Sequence, residues 1–162
     1  MEAEIVSFLW KDGIRFAFEN GGPTATMEYA IALADAVGLD RAGICVDTGH
    51  AALGDLGPAK AIRMAGYRLI TTHIQDNLGE RDDHMPPGDG RIDWDDVVAA
   101  LNEVGYDGCF QLELTDQPPD PTRRPVIREE LRRAQKQALS LASRLARSGV
   151  PVHRFSVPPY IP

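Results

Sequence analysis

The feature that most limits how this chain can fold is an alternation. Four short strand-like runs, each ending in a residue able to bind a metal, are separated by stretches with helical periodicity. The runs are 14–19, 43–47, 69–73 and 109–113, and their last residues are Glu19, Asp47, His73 and Glu113. Residues 26–37 place Met27, Ala30, Ile31 and Ala34 at helical spacing. Residues 58–65 read as a short helix with Pro58 in its first turn. Asp93 reads as an N-cap before Trp94, Val97, Val98, Leu101 and Val104. After the turn-forming DQPPDP, an amphipathic helix is expected over about 125–147, with Ile127, Leu131, Ala134, Ala138, Leu141 and Leu145 on its apolar face. Gly79, Pro86, Pro87, Gly88 and Gly90 mark 75–92 as a long loop. Strand–helix–strand order with short turns implies parallel strands, in either a doubly wound sheet or a barrel.

The strand ends choose between the two. Side chains alternate along a strand. One face therefore holds Arg15, Ala17 and Glu19; then Gly43, Cys45 and Asp47; then Leu69, Thr71 and His73; then Cys109, Gln111 and Glu113. The opposite face holds Ile14, Phe16 and Phe18, Ile44 and Val46, Ile70 and Thr72, and Phe110 and Leu112. A doubly wound sheet is covered by helices on both sides and should be apolar on both. A barrel has helices outside and its site at the C-terminal mouth, which matches one greasy face and one small or polar face tipped with ligands. Taken singly, a strand-end acid is more often a turn or cap residue, and a strand-end histidine a surface one. Four in one register form an oxygen-rich set with one nitrogen, suited to Mn²⁺ or Mg²⁺, with Co²⁺ or Zn²⁺ as alternatives.

The rest of the composition sets bounds. At 162 residues and 43% hydrophobic content, the chain is long enough for one domain with a real core. A net charge of −7 argues against nucleic acid as a partner. Cys45 and Cys109 give neither a disulfide framework nor a metal-binding pair, fit a cytoplasmic setting, and read as small interior fillers. No membrane span or signal peptide is expected. The basic residues Arg123, Arg124, Arg128, Arg132 and Arg133 are read as a solvated helix face rather than a phosphate site.

The stretches FAFENGG, GICVDTGHAALGD, THIQDNLGERDDHMPPGDGRIDW and GYDGCFQLEL resemble the xylose isomerase-like TIM barrel superfamily, in its sugar phosphate isomerase/epimerase branch. They run from Ile14 to Leu114, roughly two thirds of the chain. The resemblance implies a (β/α)8 barrel of which this chain is the second half, four parallel strands with flanking helices over 1–149, followed by a proline-rich tail over 150–162. It implies one divalent metal held by Glu19, Asp47, His73 and Glu113, the same four residues that the register brings together. The implied reaction is isomerisation or epimerisation of a sugar or sugar phosphate by proton transfer through a metal-stabilised enediolate, with Glu19 and Glu113 also carrying the proton. His50, Asp82 and His84 are then candidate substrate contacts. A loop histidine that caps backbone groups is the plainer reading of His50, and a solvated loop that of Asp82 and His84.

Two other readings stay open. Apurinic endonucleases share the superfamily and carry D-x-x-H and D-x-H ligand pairs, which here would be Asp47 with His50 and Asp82 with His84. An inactive barrel fragment is the third. With the first four strands missing, the outer strands are expected to be open edges. The chain would then pair with a second copy or with the missing N-terminal half of the barrel.

Overall fold

A computed structural model describes residues 13–21, 26–114 and 127–146. The strands are β1 (Phe16–Glu19), β2 (Ala42–Asp47), β3 (Leu69–Ile74) and β4 (Cys109–Leu112). The helices are α1 (Met27–Val37), α2 (Thr48–Leu53), α3 (Pro58–Ala65), α4 (Trp94–Glu103) and α5 (Ile127–Ala146). The strands form one sheet in the order β1-β2-β3-β4, and every neighbouring pair is parallel. Fold class and strand direction are therefore as expected: four parallel strands in one sheet with flanking helices.

Local chemistry explains where the elements begin. Thr26 caps α1, its side chain accepting from the Tyr29 N–H. Asp93 caps α4, accepting from Asp95 and Asp96. Pro58 opens α3, where a missing N–H does no harm. Small residues let helix and sheet approach closely: Ala34, Ala59, Ala61, Ala65 and Ala100 pack in one core with Ile44, Val46, Ile62, Ile74, Val97 and Leu101. Each of the larger side chains contributes about 1.5–3 kcal/mol by leaving water.

Several expectations need correction. Strand β1 is shorter than 14–19, and Ile14 lies outside it, exposed. Strand β4 stops at Leu112, although the Glu113 N–H still donates to the Ile74 carbonyl at 3.1 Å. Alternation also fails at the start of β3. The register slips there, with Ile44 opposite Leu69 but Cys45 opposite Thr71. Leu69 consequently joins the helix-side core. Ile70 turns to the other face instead, over Gly43, where an added Cβ would come 2.6 Å from Ile70 Cγ2 and 2.8 Å from the Arg68 carbonyl. Cys45 is an interior filler, but Cys109, on an outer strand, is exposed. Leu131 is exposed rather than on the buried stripe of α5. Arg133 is tied to Asp89 of the long loop instead of being only solvated. Arg123, Arg124 and the 150–162 tail lie outside the described residues, as does the side chain of Arg128.

Candidate metal centre at the strand tips

The parallel register aligns the two central tips and staggers the outer ones, with Gln111 rather than Glu113 opposite His73. Glu19 lies opposite Cys45, and Asp47 lies opposite His73. Beyond β1, Asn20 continues the pairing with its side chain. Its Nδ2 donates to the Asp47 carbonyl at 3.0 Å, and the Asp47 N–H donates to its Oδ1 at 2.9 Å. The two tips are thus locked together although the backbone ladder has ended.

Donor atoms of Glu19, Asp47, His73 and Glu113 all lie within 4.8 Å of one another. His73 Nδ1 stands 3.0 Å from Glu113 Oε2 and 3.2 Å from Glu19 Oε2. Yet His73 Nδ1 and Glu113 Oε2 are buried atoms with no hydrogen-bond partner. Contact without hydrogen-bond geometry is what donors show when they are aimed at a common centre. A spacing of about 3 Å is also the edge of an octahedron built on bonds of about 2.1 Å. Three carboxylates beside one imidazole call for positive charge. Asp47 is fully buried, and that burial pushes its carboxyl up to about 6. The residues therefore fit a hard divalent cation.

His50 sits at the flank of this group. Asp47 caps the short helix α2, its Oδ1 accepting from the His50 N–H at 2.7 Å. That cap aims the ring: Nδ1 is 3.4 Å from Glu19 Oε1, 3.6 Å from Asp47 Oδ2 and 3.0 Å from the Asn20 carbonyl. A hydrogen bond to Glu19 raises His50 to about 10 despite partial burial, and the same bond holds Glu19 below the usual carboxylate range. The His50 Nε2 faces Asp82 Oδ2 at 3.1 Å, and His84 Nε2 faces the same oxygen at 2.9 Å. His50, Asp82 and His84 form a second group with donor atoms within 4.8 Å of one another. His84 has φ +48°, an uncommon conformation for a residue with a Cβ, and its Nδ1 reaches the Glu113 carbonyl at 3.2 Å. All seven candidate residues therefore meet at one end of the sheet.

Three residues escape sequence reasoning. Asn20, Gln75 and Asp76 are buried polar side chains, and the last two fall in a segment whose Gly and Pro content reads as plain loop. The available signal was parity: Gln75 is two residues beyond His73, so it points to the same side.

The family described as xylose isomerase-like TIM barrel matches residues 3–138. An uncharacterized protein of Sinorhizobium fredii is 38% identical over 109 residues, covering 66% of this chain and 33% of its own length. The D-psicose 3-epimerase of Enterocloster bolteae is 35% identical over 88 residues, covering 54% of this chain and 28% of its own. Among solved structures, a D-tagatose 3-epimerase-like protein superposes with a TM-score of 0.65 at 26% identity, covering 91% of this chain and 52% of that one. The chain thus spans about a third of the length of these curated relatives and about half of the solved one.

Proposed function

The chain belongs to the xylose isomerase-like TIM barrel family, and on that premise we propose that it carries the metal-binding half of a sugar isomerase or epimerase. The observation that supports this most is the convergence of Glu19, Asp47, His73 and Glu113 at the strand tips. Relatives named for D-psicose and D-tagatose support a ketose as the substrate class, and a sugar phosphate is the alternative within the same reading. In this reading the four residues hold one Mn²⁺ or Mg²⁺, with Co²⁺ or Zn²⁺ as alternatives. The bound cation would supply Lewis acidity to neighbouring carbonyl and hydroxyl oxygens of the sugar. Glu19 and Glu113 come from the ends of the two outer strands of the sheet, and both stand against His73 Nδ1. One carboxylate takes the proton from the carbon beside the carbonyl, and the other returns it. The His50 hydrogen bond holds Glu19 in the ionised form that a metal ligand requires. His50, Asp82 and His84 line the same end and would contact sugar hydroxyls. A second copy of the chain, or an N-terminal half-barrel, would supply the remaining wall.

Titration calorimetry with Mn²⁺ tests the centre. One ion should bind per chain, and Asp47→Ala or His73→Ala should weaken binding by at least tenfold, because nothing else replaces the lost charge or lone pair. Unchanged binding in both variants overturns the assignment.

The second donor group favours one other reading. His50, Asp82 and His84 have the composition of a zinc site, as in a multi-zinc phosphodiesterase of the apurinic endonuclease type. The number of ions per chain separates the two: more than one zinc, with cleavage of abasic DNA, selects the nuclease.

A further inference from the structure

Gln75 is fully buried and directly follows β3. Its amide has two N–H donors, and two different carboxylates take them. Nε2 lies 3.2 Å from Asp47 Oδ2 and 2.9 Å from Asp82 Oδ1. Those acids belong to different donor groups, one at the strand tips and one on the long loop. Asp82 turns its other oxygen to His50 and His84, and Asp47 its other oxygen to the His50 N–H.

The amide has little freedom to leave. The Gln75 N–H donates to Thr48 Oγ1 at 3.0 Å, and the Thr48 hydroxyl lies 2.6 Å from the Gln75 carbonyl. Behind the side chain stands Gly49, where an added Cβ would come 2.2 Å from Gln75 Oε1. That oxygen is buried without a partner. Flipping the amide would aim it at two carboxylates, so the NH₂ end must face them. Leaving an oxygen unsatisfied is unfavourable, and the arrangement is explained if the donor end has a task.

We propose that Gln75 is a positioning residue, a neutral two-donor tie that orients Asp47 within the strand-tip group and fastens Asp82 and its loop to it. The inference rests on the metal reading above and deepens it: the loop is set by the state of the strand-tip centre. Neutrality is essential, since a glutamate at this position would add a third negative charge between two acids.

The test uses the 162-residue chain and Mn²⁺ alone. Gln75→Leu should weaken Mn²⁺ binding by about tenfold or more, in the range seen when outer partners of metal ligands are removed. Asp82→Ala, outside the strand-tip group, should weaken it too, and the double variant should be no worse than Gln75→Leu alone. Hydrogen exchange gives a readout that a purely structural role does not move. Mn²⁺ should slow amide exchange across 77–85 in the wild type, and saturating Mn²⁺ should fail to do so in Gln75→Leu. Wild-type affinity in Gln75→Leu, or strictly additive losses, overturns the proposal. If Gln75→Leu does not fold, unchanged affinity in Asp82→Ala overturns it. A wild-type chain that takes up no Mn²⁺ removes the metal reading and this one together, whereas a binding wild type with indifferent variants removes only the tie.

Discussion

Asp76 is the fully buried carboxylate on which the long loop hangs. It accepts from the N–H groups of Asn77 at 2.9 Å, Gly88 at 2.9 Å and Ile92 at 3.1 Å, and from Trp94 Nε1 at 2.8 Å. Asp76→Ala strands these donors in the interior, each at about 1–3 kcal/mol. A loss of about 3 kcal/mol or more is expected in urea unfolding. Asp76→Asn should lose nearly as much, because its NH₂ meets N–H donors where a carboxylate oxygen stood. A loss under 1 kcal/mol in both (about the size of an ordinary surface effect) would show that the loop is anchored elsewhere. None of this was legible in the sequence. Apart from the adjacent Asn77, Asp76 finds its partners 12 to 18 residues away, and no local period records them. Glu19, Asp47, His73 and Glu113 were legible because a strand has a period of two, so a ligand at each strand end repeats visibly. Alternation failed only where the register slips, at Leu69 and Ile70.

Helices α3 and α4 are fastened by one arginine. Arg63 Nε is 2.7 Å from Glu103 Oε2, and its Nη2 is 2.8 Å from Asp96 Oδ1 and 3.0 Å from Glu103 Oε1. The Arg63 hydrogen bond holds Glu103 below its ordinary value of 4.5. A carboxyl whose value falls on folding stabilises the fold above its unfolded value, and that stabilisation is lost as pH falls through the folded value. Glu103→Gln should therefore melt slightly below the wild type at pH 7, small because the pair is at the surface. As pH falls through the lowered folded value of Glu103, the wild-type carboxyl is protonated and the two melting temperatures should converge. A gap that persists at the acid end of the titration, after the carboxyl has protonated, would place its origin in packing. Helix α1 could be read in advance from the spacing of Met27, Ala30, Ile31 and Ala34, and α4 from Asp93. Helix α2 could not: it has six residues, too few to show a period, and Gly49 weakens its propensity. It forms because Asp47 caps it.

The sheet as a whole is open among the described residues, with β1 and β4 each paired on one side only. On the donor-bearing face, Ala17, Cys109 and Gln111 of these outer strands are exposed, while every residue of β2 is buried. Unpaired strand edges invite partners, so light scattering at tens of micromolar (well above weak micromolar association) should find dimers or larger species. Alkylation gives a second view of the same face. The Cys45 thiol is buried and pushed up to about 12, first by that burial and then by Glu19 and Asp47, so it should resist iodoacetamide. Cys109 should react quickly in dilute solution and slowly in the associated form. A dispersed monomer whose Cys109 stays protected would mean that the face is covered from within. The strand-tip donor set lies on, or one residue beyond, four consecutive strands. Recombination between genes would therefore transmit it in one piece. In the reading proposed above, lineages that exchanged the rest of the barrel would still inherit the ion-binding residues intact.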